Sequence, residues 1–180
     1  MVDKPSGSYD LVYADPPWRY DFQATGNRDI ENHYPTMEID SIKELDVPAA
    51  DESVCYMWAT NPKLKEGIET LEAWGFEYKT NAVWDKRIMG QGYWFRGQHE
   101  LLLVGTRGGY SPPQPGDRRT SVFEQKRGRH SSKPKSVKSH IEQAHPEADK
   151  IELFSRDNRV GWDVWGNEAP ETQQDVLTTW

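Results

Sequence analysis

The sequence predicts an open α/β fold, a mostly parallel central sheet with helices on both faces. Three observations predict it. Apolar runs of strand length alternate with segments whose apolar residues recur every three or four positions. The run Glu100 to Thr106 (ELLLVGT) is so continuously apolar that both of its faces must be covered. Finally, the first run, Leu11 to Ala14, ends in Asp15-Pro16-Pro17-Trp18, where two prolines can neither extend a ladder nor enter a helix interior. A stiff elbow at the carboxyl end of a strand falls where open α/β sheets bind ligands.

The elements follow in order. Residues 1–8 form a polar lead, and Leu11 to Ala14 the first strand. Residues 19–35 lack a clean period and hold Gly26, Asn27, Asn32 and Pro35, which predicts a long loop of the functional kind. Thr36 is placed to cap a short helix reaching Leu45, with Ile42 and Leu45 inward. Ser53 to Ala59 is a central strand. Asn61 and Pro62 open a helix as cap and first position; Leu64, Ile68 and Leu71 share its face, and Gly75 stops it. Phe76 to Trp84 is a strand, and Asp85 to Phe95 a Gly-rich loop carrying Tyr93 and Trp94. After the strand Glu100 to Thr106, residues 107–132 carry four Gly and three Pro and read as a mobile loop. Pro134 opens a helix with Val137, Ile141 and Ala144 on one face, and His145-Pro146 ends it. Ile151 to Phe154 and Gly161 to Gly166 are the closing strands. There is no internal repeat. The expectation is one domain over residues 1–180, with its core at about 9–168 and a loose polar tail at 169–180.

Composition excludes several classes. Cys55 is the single cysteine and lies in an apolar run, so it reads as a core residue. A disulfide scaffold, a structural zinc cluster and a His/Cys/Cys deaminase centre are disfavoured, and no metal is expected. No apolar stretch approaches a membrane span and no apolar leader opens the chain, so an intracellular protein is expected. A net charge of −7 argues against indiscriminate coating of nucleic acid. Yet residues 118–140 hold eight Lys or Arg against Glu124 alone, a local charge of +7 on a remainder of −14. Arg118, Arg119, Lys126, Arg127 and Arg129 are therefore candidates for holding phosphates at one mouth.

Three stretches lie beyond strand ends and so converge on one rim of a parallel sheet: Asp15 to Tyr20, Tyr93 to Glu100, and Ser155 to Asn158. They and their neighbours offer an acid (Asp15), flat rings (Trp18, Tyr20, Tyr34, Trp94) and cations (Lys133, Arg156). That set suits a planar polar heterocycle together with a polar cofactor. No G-x-S-x-G elbow, H-E-x-x-H, phosphate-loop or G-x-G-x-x-G pattern occurs, which turns the reading away from hydrolases and nucleotide triphosphatases.

Beyond these points the chain resembles a known family. Asp15-Pro16-Pro17-Trp18, HYPTM (His33 to Met37), WGF (Trp74 to Phe76), GYWFRGQHELLLVGTRG (Gly92 to Gly108), SSKP (Ser131 to Pro134), KIELFSR (Lys150 to Arg156) and GWDVWGNE (Gly161 to Glu168) resemble, in order, the blocks of the MT-A70-like S-adenosylmethionine-dependent adenine N6-methyltransferases. The compact phage and bacterial DNA branch is the most similar. The resemblance implies a permuted Rossmann-like methyltransferase fold, in which the catalytic strand comes first and the cofactor-pocket strand comes late. It also implies S-adenosylmethionine as cofactor and a nucleic-acid substrate, DNA in preference to RNA.

Its implications extend to residues. Asp15, Pro16, Pro17 and Trp18 stand at the catalytic motif. Asp15 would accept one hydrogen bond from the adenine amine, and the Pro16 carbonyl the other. With an ordinary carboxyl pKa of about 4, Asp15 could not deprotonate an arylamine in advance, so its expected role is to stabilise developing positive charge. Trp18 or Tyr20 would stack on the base. Asp15, Lys133, Phe154, Arg156, Asn158, Asn167 and Glu168 match cofactor positions, with Lys133 suited to a carboxylate and Asn167 or Glu168 to ribose hydroxyls. Tyr34 and Glu100 match positions on the acceptor side. The family often pairs subunits, so a homodimer or a related partner subunit is implied where sequence specificity exceeds a single domain. An RNA adenine methyltransferase and a non-catalytic nucleic-acid-binding subunit remain the alternatives.

Overall fold

A computed structural model describes residues 7–19, 36–128, 133–155 and 158–166. The strands are β1 (Tyr9–Ala14), β2 (Ala49–Thr60), β3 (Glu77–Asp85), β4 (His99–Arg107), β5 (Val122–Glu124), β6 (Lys150–Leu153) and β7 (Asp163–Trp165). The helices are α1 (Ile39–Lys43), α2 (Leu64–Ala73) and α3 (Lys135–Ala144). The strands form one seven-stranded sheet in the order β5-β3-β4-β2-β1-β6-β7. β4 pairs antiparallel with β2 and β3, and every other pairing is parallel. Six strands therefore point their carboxyl ends at one rim, and β4 brings its amino end to the same rim.

The side-chain alternation of the strands sorts the core into two layers. Val12, Ala14, Cys55, Met57, Leu101 and Leu103 face a cluster that takes in Ile42 of α1 and Leu71 of α2. Leu11, Tyr13, Val54, Trp58 and Leu102 face the other side, where Val137 and Ile141 of α3 close the layer. Helices thus cover both faces, as the continuous apolar runs require. Cys55 is fully buried in the first layer.

Several element limits differ from the sequence reading. α1 begins after Glu38 with no side-chain cap, so Thr36 does not cap it. Asn61 lies inside a 3-10 turn, Asn61–Lys63, that leads into α2, and its side chain caps nothing. β2 starts at Ala49, because pairing with Tyr9 and Ser53 to Arg107 carries the ladder past the apolar segment. Residues 107–132 are not loop throughout. Val122, Phe123 and Glu124 add a parallel edge strand to β3, held mainly by backbone pairing and too short to show a period. Gly75 does stop α2, at a φ of 82° that suits glycine. No helix among the described residues is long and apolar enough to cross a membrane.

Candidate active site

The elbow after β1 is held by its own backbone and by its neighbours. The Trp18 N–H donates to the Pro16 carbonyl at 2.8 Å, across Pro17, whose fixed φ suits so tight a turn. The Met37 N–H donates to the Pro17 carbonyl at 3.0 Å. The Trp18 indole is buried, and its Nε1 donates to the Trp58 carbonyl at 3.0 Å. Its ring belongs to the first core layer and fixes the elbow against β2, which corrects the expectation that it offers a free face for stacking. Asp15, by contrast, keeps 39% of its side chain exposed, so its carboxylate opens on the rim.

Opposite Asp15 stands Lys133, delivered by the residues leading into α3. Its Nζ lies 2.7 Å from both carboxylate oxygens of Asp15 and 3.3 Å from Glu100 Oε2. Glu100 Oε1 in turn accepts from Lys86 Nζ at 3.3 Å. The result is an alternating chain, Asp15, Lys133, Glu100 and Lys86, drawn from four separate segments. The registers explain the meeting. Glu100 pairs with Thr60 on β2 and Trp84 on β3, so the antiparallel strand enters the sheet at the rim where β1 leaves it. Burial alone would depress the Lys133 ammonium, but the Asp15 and Glu100 carboxylates outweigh it and hold the pKa above the usual lysine value.

Beneath the chain lies an aromatic shelf. Lys133 Nζ sits 5.6 Å from the ring centroid of Trp58. Trp58 Nε1 donates to the Tyr13 hydroxyl at 2.5 Å, and Trp58 meets Trp84 edge-on at 6.0 Å. Behind it, Lys138 pairs with Glu152 at 2.5 Å and lies over both Tyr13 and Trp162. Lys133 and Lys138 therefore face inward, so the basic strip read from the sequence is not one continuous surface.

The turn after β6 lies on the same rim. Phe154 is half-buried against the core and adopts a φ of 61°, a left-handed conformation that costs a residue with a Cβ roughly 1–2 kcal/mol. Its N–H donates to the Trp165 carbonyl at 2.6 Å, which holds the turn in place. Gly166 packs against it: a Cβ there would lie 3.0 Å from the Phe154 Cα. Strain kept at a strand end on a ligand rim is characteristic of functional sites. Asn158 is exposed nearby in sequence.

Of the expected site residues, the structure joins Asp15, Lys133 and Glu100, and places Phe154 at the end of β6, next to β1. Trp94 is 93% exposed on the β3–β4 loop. Arg118, Arg119, Lys126 and Arg127 are exposed, and Arg118 Nε donates to the Pro113 carbonyl. Tyr20, Tyr34, Arg129, Arg156, Asn167 and Glu168 lie outside the described residues, as do most of the loop at 19–35 and the tail. Sequence reasoning missed Lys86 and Trp58. Lys86 carried a usable signal, the first of two cations directly after a strand; Trp58 carried none, because a ring inside an apolar strand reads as core.

The rim of this α/β sheet thus sets the Asp15 carboxylate, on a proline elbow, beside the partly buried Lys133 ammonium. The MT-A70 family model matches residues 9–168. The type II methyltransferase M.MunI of a Mycoplasma species is 37% identical over 194 residues, covering 97% of this chain and 83% of that protein. The human N(6)-adenosine-methyltransferase catalytic subunit METTL3 and an MT-A70-like N(6)-adenosine-methyltransferase of Arabidopsis thaliana are each 30% identical over 90% of this chain. This chain spans 28% and 24% of their respective lengths. The chain belongs to the MT-A70 family of adenine N6-methyltransferases, whose methyl donor is S-adenosylmethionine.

Proposed function

We propose that this protein transfers the methyl group of S-adenosylmethionine to the exocyclic N6 amine of adenine in DNA, within the cytoplasm. One observation carries the reading: a rim-exposed Asp15 carboxylate, on a rigid elbow, held by a partly buried Lys133 that also touches Glu100. The similarity to a type II methyltransferase over nearly the whole chain favours DNA as the acceptor. The similarity to proteins named N(6)-adenosine-methyltransferases keeps RNA adenine as the second reading.

The donor set suits the cofactor. A carboxylate beside a lysine ammonium can meet the opposite charges of a methionyl group, and half-buried Phe154 can wall its apolar part. We assign Asp15, Lys133, Phe154 and Asn158 to it, with Arg156, Asn167 and Glu168 by family resemblance. When bound, S-adenosylmethionine supplies an electrophilic methyl group on a sulfonium sulfur. Asp15 accepts a hydrogen bond from the amine. The Pro16 carbonyl already receives the Trp18 N–H and keeps its second lone pair for the other amine hydrogen. Accepting the methyl group that the bound cofactor would supply would leave the amine nitrogen positive. Asp15 stabilises that charge, and the excess proton leaves toward it or to water. Lys133 and Glu100 keep the carboxylate oriented, and Lys86 supports Glu100. A homodimer or a related partner subunit completes specificity in this reading.

The decisive measurement is transfer of labelled methyl from S-adenosylmethionine to DNA and RNA, as duplexes and single strands, with the product nucleoside identified. N6-methyladenine in DNA is the expected result. Label confined to RNA selects the second reading, and label in neither removes both.

A further inference from the structure

The three most exposed aromatic side chains of the described residues are consecutive, in a place that the site does not use. Between β3 and β4, Tyr93, Trp94 and Phe95 are 90%, 93% and 90% exposed. Three consecutive rings in water are costly and need a reason, because exposed apolar clusters mark contact surfaces. The loop that carries them is built. The Lys86 N–H donates to the Gln98 carbonyl at 2.9 Å, the Gly90 N–H to the Gly97 carbonyl at 2.8 Å, and Arg96 Nε to the Gly90 carbonyl at 3.1 Å. The Phe95 carbonyl occupies the space where a Cβ on Gly92 would stand. The rings therefore ride on an ordered hairpin.

Its placement and charge name the occupant. The hairpin is rooted in Lys86 and Glu100, the two residues that continue the Lys133–Asp15 chain, so it rises from the catalytic rim itself. Residues 86–98 hold no carboxylate and three cations: Lys86 and Arg87, which pair with Glu100 and Glu124 at the hairpin's root, and Arg96 beside the rings. Alongside them, the Gln125 N–H donates to the Asp85 carbonyl at 3.1 Å and the Arg127 N–H to the Lys86 carbonyl at 3.2 Å. Those bonds lay exposed Lys126 and Arg127 against the root of the hairpin. Flat rings flanked by cations, on a chain of net charge −7, suit stacked bases between phosphates. The N6 amine of a duplex adenine is also engaged in pairing, so the base must leave the stack before it can reach Asp15.

We propose that the Tyr93–Phe95 tip is a wedge that enters a DNA duplex beside the target adenine and stabilises its extrusion toward Asp15. The proposal rests on the DNA reading given above. It assigns the tip a substrate class, base-paired DNA, and a step, opening the pair, that the carboxylate chain does not perform. Stacking against Trp94 replaces contacts the extruded base leaves behind, while Lys126 and Arg127 hold the backbone.

The test compares methyl transfer to the same genomic DNA in native duplex and heat-denatured single-stranded form, for the wild type and for Trp94→Ala, Trp94→Phe and Tyr93→Ala/Phe95→Ala. These side chains are exposed, so the variants are expected to keep the wild-type melting temperature. Loss of stacking predicts a fall of about tenfold or more in kcat/KM on duplex DNA for Trp94→Ala, with single strands changed less than about threefold and Trp94→Phe restoring most of the duplex activity. The salt dependence of duplex binding should be unchanged in Trp94→Ala and shallower by a slope of about 2 in Lys126→Gln/Arg127→Gln. Equal losses on duplex and single strand overturn the wedge and leave the DNA reading standing. A wild-type dimer in sedimentation that Trp94→Ala converts to monomer, with duplex preference unaltered, also overturns it and makes the tip a protein interface. Wild-type enzyme that methylates no DNA overturns both.

Discussion

Lys133 stands equidistant from the two carboxylate oxygens of Asp15, at 2.7 Å from each. A cation in that position fixes the carboxylate plane. In the proposed reaction an incoming amine would share Asp15 with Lys133. The pair therefore links fold stability to catalysis, and separate substitutions should separate the two.

Asp15→Asn is expected to lower kcat for methyl transfer by roughly a hundredfold, the scale of losing one preorganised electrostatic partner. Its folding cost should be about 1–2 kcal/mol, less than for a fully buried pair because Asp15 is partly exposed. Lys133→Met should weaken cofactor binding, and Asp15→Asn/Lys133→Met should be more stable than the two single losses added together. Urea unfolding and cofactor titration measure these effects; simple additivity would mean that the pair is uncoupled.

Trp18→Phe removes the indole donor from the Trp58 carbonyl and leaves that acceptor unmet in a buried place. A loss of about 1–2 kcal/mol is expected, together with reduced turnover as the elbow loosens. If stability fell while kcat held, the elbow would not depend on that bond for its position.

Gly166→Ala should act on the donor side alone. Its new Cβ would press on the backbone of Phe154, whose turn already sits at positive φ. We expect a several-fold rise in the dissociation constant for S-adenosylmethionine, by calorimetry, with melting shifted by only a few degrees. An unchanged affinity would separate the Phe154 turn from the cofactor.

His145 gives a pH test remote from the rim. Its Nε2 meets the Tyr56 hydroxyl at 2.8 Å and its Nδ1 the Tyr110 hydroxyl at 2.9 Å. Burial, then the charges of Lys150 and His140, lower its pKa from 6.5 to about 4. The unfolded chain thus takes up the proton first as pH falls. Stability contributed by neutral His145 is full above about pH 6.5 and lost on descent toward about pH 4, by roughly 2 kcal/mol after allowance for partial solvent access. Melting curves between pH 7 and 4.5 should show this slope, and His145→Gln should flatten it.

Much of the architecture was legible because period-2 and period-3.6 patterns are written in single residues. Leu101 to Leu103 announced a strand covered on both faces, and Val137 with Ile141 announced a helix lying on it. Asp15 and Lys133 were legible as an acid and a cation near strand ends, but Glu100 only as a member of a family block, since no local pattern reveals that an antiparallel strand carries it to the rim. β5 escaped because three residues held by backbone pairing leave no period. Trp18, one of two rings expected to stack on the base, is packed inward, because a sequence shows an aromatic beside a carboxylate but not the carbonyl of Trp58 that accepts its indole N–H. His145 read as a helix terminator, and its two tyrosine partners come from β2 and from the loop after β4.

The order of strands has a consequence for synthesis. β1 lies between β2 and β6, and Asp15 meets a lysine 118 residues later in the chain. During translation the ribosome releases β1 and β2 early, so one side of β1 waits as an open apolar edge until Lys150 to Leu153 emerge. Non-local pairing of this kind folds slowly and leaves nascent chains prone to association. Charge neutralisation at Asp15 must likewise wait for Lys133. A growing polypeptide is thereby kept from premature catalysis, and ribosome-arrested fragments ending before β6 should engage chaperones and transfer no methyl groups.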